Sequence, residues 1–221
     1  MTDVSVLKKK KLFIFDMDGT IYLGGKAFPE AVEFIKKLKD NNYRVLFFTN
    51  NASHNHDFYI SKLSGMGFPA DEGDIMSSAD VTVSFLNMKR KGKKVYLLGT
   101  PELYGQFVSA GVPMMCDADG NVVSGEKADI VVSSFDTTLT YKKLTIACDF
   151  IRDGAEYLST HPDLNCPTET GFIPDSGAIA AAITASTGVS PRYFGKPYAD
   201  TVEMICEITK TTREKMCIIG D

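Results

Sequence analysis

A chain of 221 residues can bury a sizeable core and suits one domain, or one domain carrying an inserted second. Hydrophobic residues at 44% and charged residues at 24% exclude a disordered chain, and a net charge of −4 gives no footprint for gripping nucleic acid. No run approaches the roughly 20 apolar residues of a membrane helix, and no signal-peptide core follows the N-terminus, so no membrane partner is expected and the default compartment is cytoplasmic.

The basic run Lys8 to Lys11 reads as a solubilising lead into the first strand. Leu12 to Phe15 is a continuous apolar run, the pattern of a strand buried on both faces of a parallel sheet, and it leaves Asp16 at the carboxyl end. After Gly24-Gly25, Pro29 opens a segment with Ala31, Phe34, Ile35 and Leu38 at helical spacing, ending near Asn41-Asn42. Tyr43 to Phe48 is a second strand, ending in Thr49-Asn50-Asn51, and a helix follows up to Gly65 and Gly67. This opening predicts an α/β fold, a Rossmann-like doubly wound parallel sheet.

From about Ser78 a second series runs: a helix through Phe85 and Met88, a strand at 94–98, a helix near 102–110, a strand at 130–134 and a helix at 141–151. A strand at 156–160 then leads into a polar loop, His161 to Ser176, followed by a helix over 177–187. Arg192 to Phe194 and Met216 to Ile219 are the last apolar runs, separated by a helix striped with Val202, Ile205, Cys206 and Ile208. The expected division is a discontinuous core of residues 1–78 and 188–221 with an inserted α/β cap at 79–187. Because the sequence stops at Gly220-Asp221 on a strand without a covering helix, the C-terminal part of the core is expected to be missing. The five cysteines are scattered and form no C-x-x-C pair, so neither a disulfide framework nor a zinc site is indicated.

Ligands of open α/β sheets bind beyond the carboxyl ends of the strands, and four such ends carry polar residues: Asp16-Met17-Asp18, Thr49-Asn50-Asn51, Gly195-Lys196 and Gly220-Asp221. Two carboxylates two residues apart at the top of a buried strand need a counter-cation to ionise together, and a hard divalent metal with oxygen ligands, Mg²⁺, suits Asp16 and Asp221. Taken alone, Asp18-Gly19 reads as a turn, Thr49-Asn50 as a helix cap and Lys196 as a solvated side chain.

As an ordered set, Asp16-Met-Asp-Gly-Thr20, Thr49, Lys196 and Gly220-Asp221 resemble the four motifs of haloacid dehalogenase (HAD) superfamily phosphatases. Asn50-Asn51, Gly195-Lys-Pro197 and the long insertion are similar to the NagD-like and p-nitrophenyl phosphatase subfamily, IIA, with its large α/β cap. The resemblance implies a Mg²⁺-dependent hydrolase of small phosphorylated metabolites. Asp16 would be the nucleophile that forms an aspartyl-phosphate, and Asp18 the general acid and then base. Asp16, the Asp18 backbone carbonyl and Asp221 would hold the metal. Thr49, Asn50, Asn51 and Gly19 would surround the phosphoryl group, and Lys196 would offset its charge. In the cap loop, Asp163, Asp175 and Ser176 are candidates for substrate selection, with a solvated turn as the competing reading, whereas His161 reads as structural. A homodimer is compatible with the sequence. The competing functions are a phosphotransferase or mutase of the same superfamily, and a non-catalytic phosphate-binding module.

Overall fold

The structure, a computed structural model, describes residues 4–123, 125, 127–168 and 170–220. In chain order the elements are β1 (Leu12–Asp16), β2 (Tyr22–Leu23), β3 (Lys26–Ala27), α1 (Pro29–Asp40), β4 (Arg44–Thr49), α2 (His56–Gly65), β5 (Ile75–Ser77), α3 (Ser78–Lys89), β6 (Val95–Leu98) and α4 (Pro101–Ser109). There follow β7 (Ile130–Ser133), α5 (Tyr141–Arg152), β8 (Glu156–Ser159), β9 (Asn165–Thr168), β10 (Gly171–Pro174), α6 (Ser176–Thr187), β11 (Arg192–Tyr193), α7 (Ala199–Thr209) and β12 (Met216–Ile219). Two compact units emerge, one of residues 1–49, 56–77 and 202–221, the other of residues 50–55 and 78–201.

The first unit is built on a parallel sheet of order β12-β1-β4-β5. Leu12, Phe13, Ile14 and Phe15 are all buried, as a strand covered on both faces requires. Phe13, Phe15, Val45 and Phe47 meet Ile35 and Leu38 of α1 and Tyr59 and Leu63 of α2 in one apolar cluster. Pro29 at the first helical position sets the entry to α1. β5 escaped the sequence reading because three residues, Ile-Met-Ser, carry no alternation to detect; register pairs Thr49 with Ser77.

In the second unit a parallel sheet runs β11-β8-β7-β6, with β6, β7 and β8 buried almost throughout. Residues 188–201, expected with the core, group with this unit instead, since β11 pairs with β8 through Arg192↔Leu158 and Tyr193↔Ser159. The guanidinium of Arg192 lies 4.8 Å from the ring centre of Phe85, which explains how so short a strand is held. The loop read as irregular from His161 onward contains an exposed antiparallel hairpin, β9-β10. None of the five cysteines forms a disulfide. Among the described residues no helix is long and apolar enough to cross a membrane.

Candidate active site

The two sheets differ in one respect that bears on ligand binding. In the first, chain order reverses at β1, which has β4 on one side and β12 on the other; in the second, β6, β7, β8 and β11 follow one another without reversal. Crevices of open α/β sheets form where the order reverses, so the carboxyl end of β1 is the switch point of the first unit. Asp16 occupies that end, partly buried.

Around Asp16 the first unit supplies oxygen donors and close backbone. Thr20 Oγ1 donates to Asp16 Oδ2 at 3.1 Å. A Cβ built on Gly220 would stand 3.2 Å from Asp16 Cβ, so the chain leaving β12 passes close against this residue. Asp221 lies outside the described residues. The Asp18 carboxylate is held within the first unit: Oδ2 accepts from the Tyr22 hydroxyl at 3.0 Å, and Lys62 Nζ lies 3.8 Å from Oδ1. Its backbone carbonyl is the donor that the family resemblance assigns to a metal. Gly19 has φ +83°, and its N–H is spent on the Tyr22 carbonyl at 2.8 Å, which makes it the pivot of the turn. Thr49, buried, ends β4 beside β1.

Tyr22 and Lys62 were not singled out from sequence. Tyr22 is fully buried, its hydroxyl receives a hydrogen bond from Lys62 Nζ at 3.1 Å, and that ammonium also sits 4.2 Å from the ring centre. Burial first, then the nearby Asp18 charge, raises the phenol far above its usual range, so it stays protonated and donates. A tyrosine six residues past the first aspartate is the only signal the sequence offers, and it does not reveal the return hydrogen bond.

In the second unit, Asn50 Oδ1 accepts from the Lys196 N–H at 2.8 Å, and its Nδ2 donates to the Lys196 carbonyl at 3.1 Å and to Asp163 Oδ2 at 3.1 Å. Asn51 Oδ1 closes its own loop, accepting from the Ser53 N–H at 2.9 Å. Asp175 and Ser176, read as candidates for substrate selection, are buried. Asp175 Oδ1 caps α6 through the Ser176 N–H and meets His161 Nε2 at 2.9 Å, and Ser176 Oγ meets Ser159 Oγ at 3.0 Å. The polar loop folds onto the carboxyl ends of β7 and β8, where Ser134, Thr160 and His161 find partners. His161, Asp163 and Asp175 have ligand atoms within 4.8 Å of one another, but the hydrogen bonds just described already occupy them.

Residues 13–113 match the sequence model of the haloacid dehalogenase-like hydrolases. Over 215 residues, 97% of this chain and 80% of the relative, the sequence is 33% identical to the 5'-nucleotidase YutF of Bacillus subtilis. The chain belongs to the haloacid dehalogenase-like hydrolases. An acid sugar phosphatase of Staphylococcus saprophyticus is 34% identical over the same shares of the two chains. A solved 4-nitrophenylphosphatase from Thermotoga maritima superposes with a TM-score of 0.84 at 40% identity, covering 96% of this chain and 78% of that one. Within the HAD family this places the chain in the NagD-like phosphatase branch, subfamily IIA.

HAD phosphatases generally use a divalent metal. Asp16, at the end of β1, and Asp18, just beyond it, offer carboxylate oxygens, donors that fit a hard cation.

Proposed function

We propose that this chain hydrolyses small-molecule phosphate monoesters in a Mg²⁺-dependent reaction through an aspartyl-phosphate on Asp16. The observation that carries the reading is the position of Asp16 at the topological switch point, with the end of β12 packed against it. The relatives add support, because a nucleotidase, a sugar phosphatase and a nitrophenylphosphatase share the phosphate ester and differ in the group attached to it.

In the first half-reaction an Asp16 carboxylate oxygen attacks phosphorus, the bond from phosphorus to the ester oxygen breaks, and Asp18 gives its proton to the departing alcohol. In the second, water gives a proton to Asp18 as it attacks the aspartyl-phosphate, the bond from phosphorus to the Asp16 oxygen breaks, and inorganic phosphate leaves. Mg²⁺, held by Asp16, the Asp18 carbonyl and Asp221, would neutralise charge on the phosphoryl oxygens. By the motif resemblance Thr49 takes the role of a phosphoryl donor and Lys196 that of a cation offsetting the phosphate charge. Small-molecule esters that differ beyond the ester oxygen are expected to be accepted.

The test is nitrophenol release from p-nitrophenyl phosphate with and without Mg²⁺, by the parent and by Asp16→Asn. The parent should turn over only with the metal, and the variant should lose activity by a factor on the order of 10³ or more. Equal release by parent and variant, or none by the parent, removes the reading.

A further inference from the structure

We infer that the side chain of Asn50 has a positioning role: it fixes the backbone that presents the Lys196 ammonium, and its carboxamide contributes no hydrogen bond to phosphate. The role it serves rests on the phosphatase reading above; the geometry does not.

A carboxamide offers two N–H donors and one carbonyl acceptor, and an ionised phosphoryl group can use only the donors. Both donors of Asn50 are taken. Nδ2 donates to the Lys196 carbonyl at 3.1 Å and lies 3.1 and 3.3 Å from the two oxygens of Asp163. Oδ1 accepts the Lys196 N–H at 2.8 Å. Only one orientation of the amide satisfies all of these, because the N–H of Lys196 must face oxygen while its carbonyl and the carboxylate must face nitrogen. An anion brought to Nδ2 would also meet the negative charge of Asp163 on the same nitrogen.

The surroundings are built for this contact. Gly195 has φ +83°, and a Cβ there would stand 2.7 Å from Asn50 Oδ1 and 2.9 Å from His161 Cβ, so the carboxamide approaches a stretch of chain that must lack a side chain. The carbonyl of Gly195 is held in turn by the buried Thr201 Oγ1 at 2.6 Å. Asn50 itself is anchored through its own carbonyl, which accepts from Ser78 Oγ at 2.6 Å. Asp163 is fixed from behind, its carbonyl accepting the Gly177 N–H at 2.8 Å. Lysine carries a long flexible stem, so with N–H and C=O clamped by one side chain the ammonium searches a smaller volume.

Two measurements on the intact chain test the inference. The first is a double-mutant cycle with Asn50→Ala and Lys196→Ala on p-nitrophenyl phosphate hydrolysis. Asn50→Ala should lower kcat on the order of 10- to 100-fold with little change in KM, and should add almost nothing once Lys196 is gone. Losses that multiply would mean that Asn50 acts on phosphate directly and would overturn the proposal. The second is amide hydrogen exchange at Lys196, which should speed up about tenfold in Asn50→Ala as its acceptor is lost; an unchanged rate also overturns it. This readout needs no turnover, so it decides the role of Asn50 even if the parent releases no nitrophenol and the phosphatase reading falls. Should Asn50→Ala not fold, Asn50→Asp sets a second carboxylate against Asp163. Its loss should be partly recovered in Asn50→Asp/Asp163→Asn, and a loss indifferent to Asp163 sinks the idea.

Discussion

The hydroxyl of Tyr22 donates to Asp18 Oδ2 at 3.0 Å while Lys62 Nζ donates to the same hydroxyl at 3.1 Å, so the group proposed to move the proton is held by a two-member relay inside the first unit. Asp18 is more than half exposed and on its own would sample several rotamers. Tyr22→Phe keeps the buried ring and removes the hydrogen bond. We expect kcat to fall on the order of tenfold, a part of the roughly 10²–10⁴ that general acid–base catalysis supplies, with KM nearly constant. Lys62→Met should move kcat in the same direction by less. Steady-state kinetics on p-nitrophenyl phosphate check both, and a Tyr22→Phe enzyme with parental kcat would remove Tyr22 from the mechanism.

What could be read before the fold was known follows from where the information sits in the chain. β1 and Asp16 were legible because a four-residue apolar run ending in an acid is a local pattern, and the spacing of Ile35 and Leu38 likewise marked α1. The Asn50 contact with Lys196 and the pairing of β11 with β8 were not legible, since each depends on a return of the chain that no window of residues encodes; Tyr22 lies only four residues from Asp18, but no periodic pattern marks their hydrogen bond. For Asp175 the sequence offers two readings, substrate selection or a solvated turn, and only the fold reveals that it is buried, capping α6 and meeting His161.

Deep in the second unit, Lys143 Nζ meets Asp136 Oδ2 at 3.1 Å, Thr138 Oγ1 at 2.8 Å and the Gly99 carbonyl at 3.5 Å, with both charged side chains almost wholly buried. Removing one partner strands the other charge, so Asp136→Ala should destabilise by about 3–5 kcal/mol. The paired change Lys143→Met/Asp136→Leu should recover only part of this, because Asp136 Oδ1 also accepts from the Thr138 N–H at 2.9 Å. Urea unfolding of the three proteins gives the answer. A single variant as stable as the parent would show that the pair is not sealed from water.

At the start of α7, Arg192 Nε donates to Asp200 Oδ2 at 2.7 Å. That hydrogen bond first, and the charge of the guanidinium with it, holds the carboxyl below its ordinary value against the opposing effect of burial. A depressed value in the folded state means the contribution is fully present above the unfolded-state value of about 3.9 and is lost as pH falls through the folded one. Asp200→Asn should therefore unfold at lower urea than the parent at neutral pH, and the gap should narrow as pH drops below about 4. A gap that stays constant across this range would show that Asp200 acts through packing and not through its charge.

The first turn of α6 gives the strictest steric requirement in the second unit. Gly177 packs on the backbone before β9 so closely that a Cβ there would lie 2.1 Å from the Pro162 oxygen, 2.7 Å from its carbonyl carbon and 2.8 Å from the Asp163 oxygen. None of these atoms is the far end of a flexible side chain, so Gly177→Ala must push the 161–163 segment outward and break the 2.8 Å hydrogen bond from the Gly177 N–H to the Asp163 carbonyl. The cost should be about 3 kcal/mol of stability, the upper range for overpacking. Because Asp163 holds Asn50 Nδ2 and Asn50 holds Lys196, the same shift should reach the lysine. We expect kcat for p-nitrophenyl phosphate to fall in the surviving folded fraction, and exchange at the Lys196 amide to rise. A Gly177→Ala protein within about 0.5 kcal/mol of the parent, with unaltered exchange there, would show that this backbone yields without passing the displacement on.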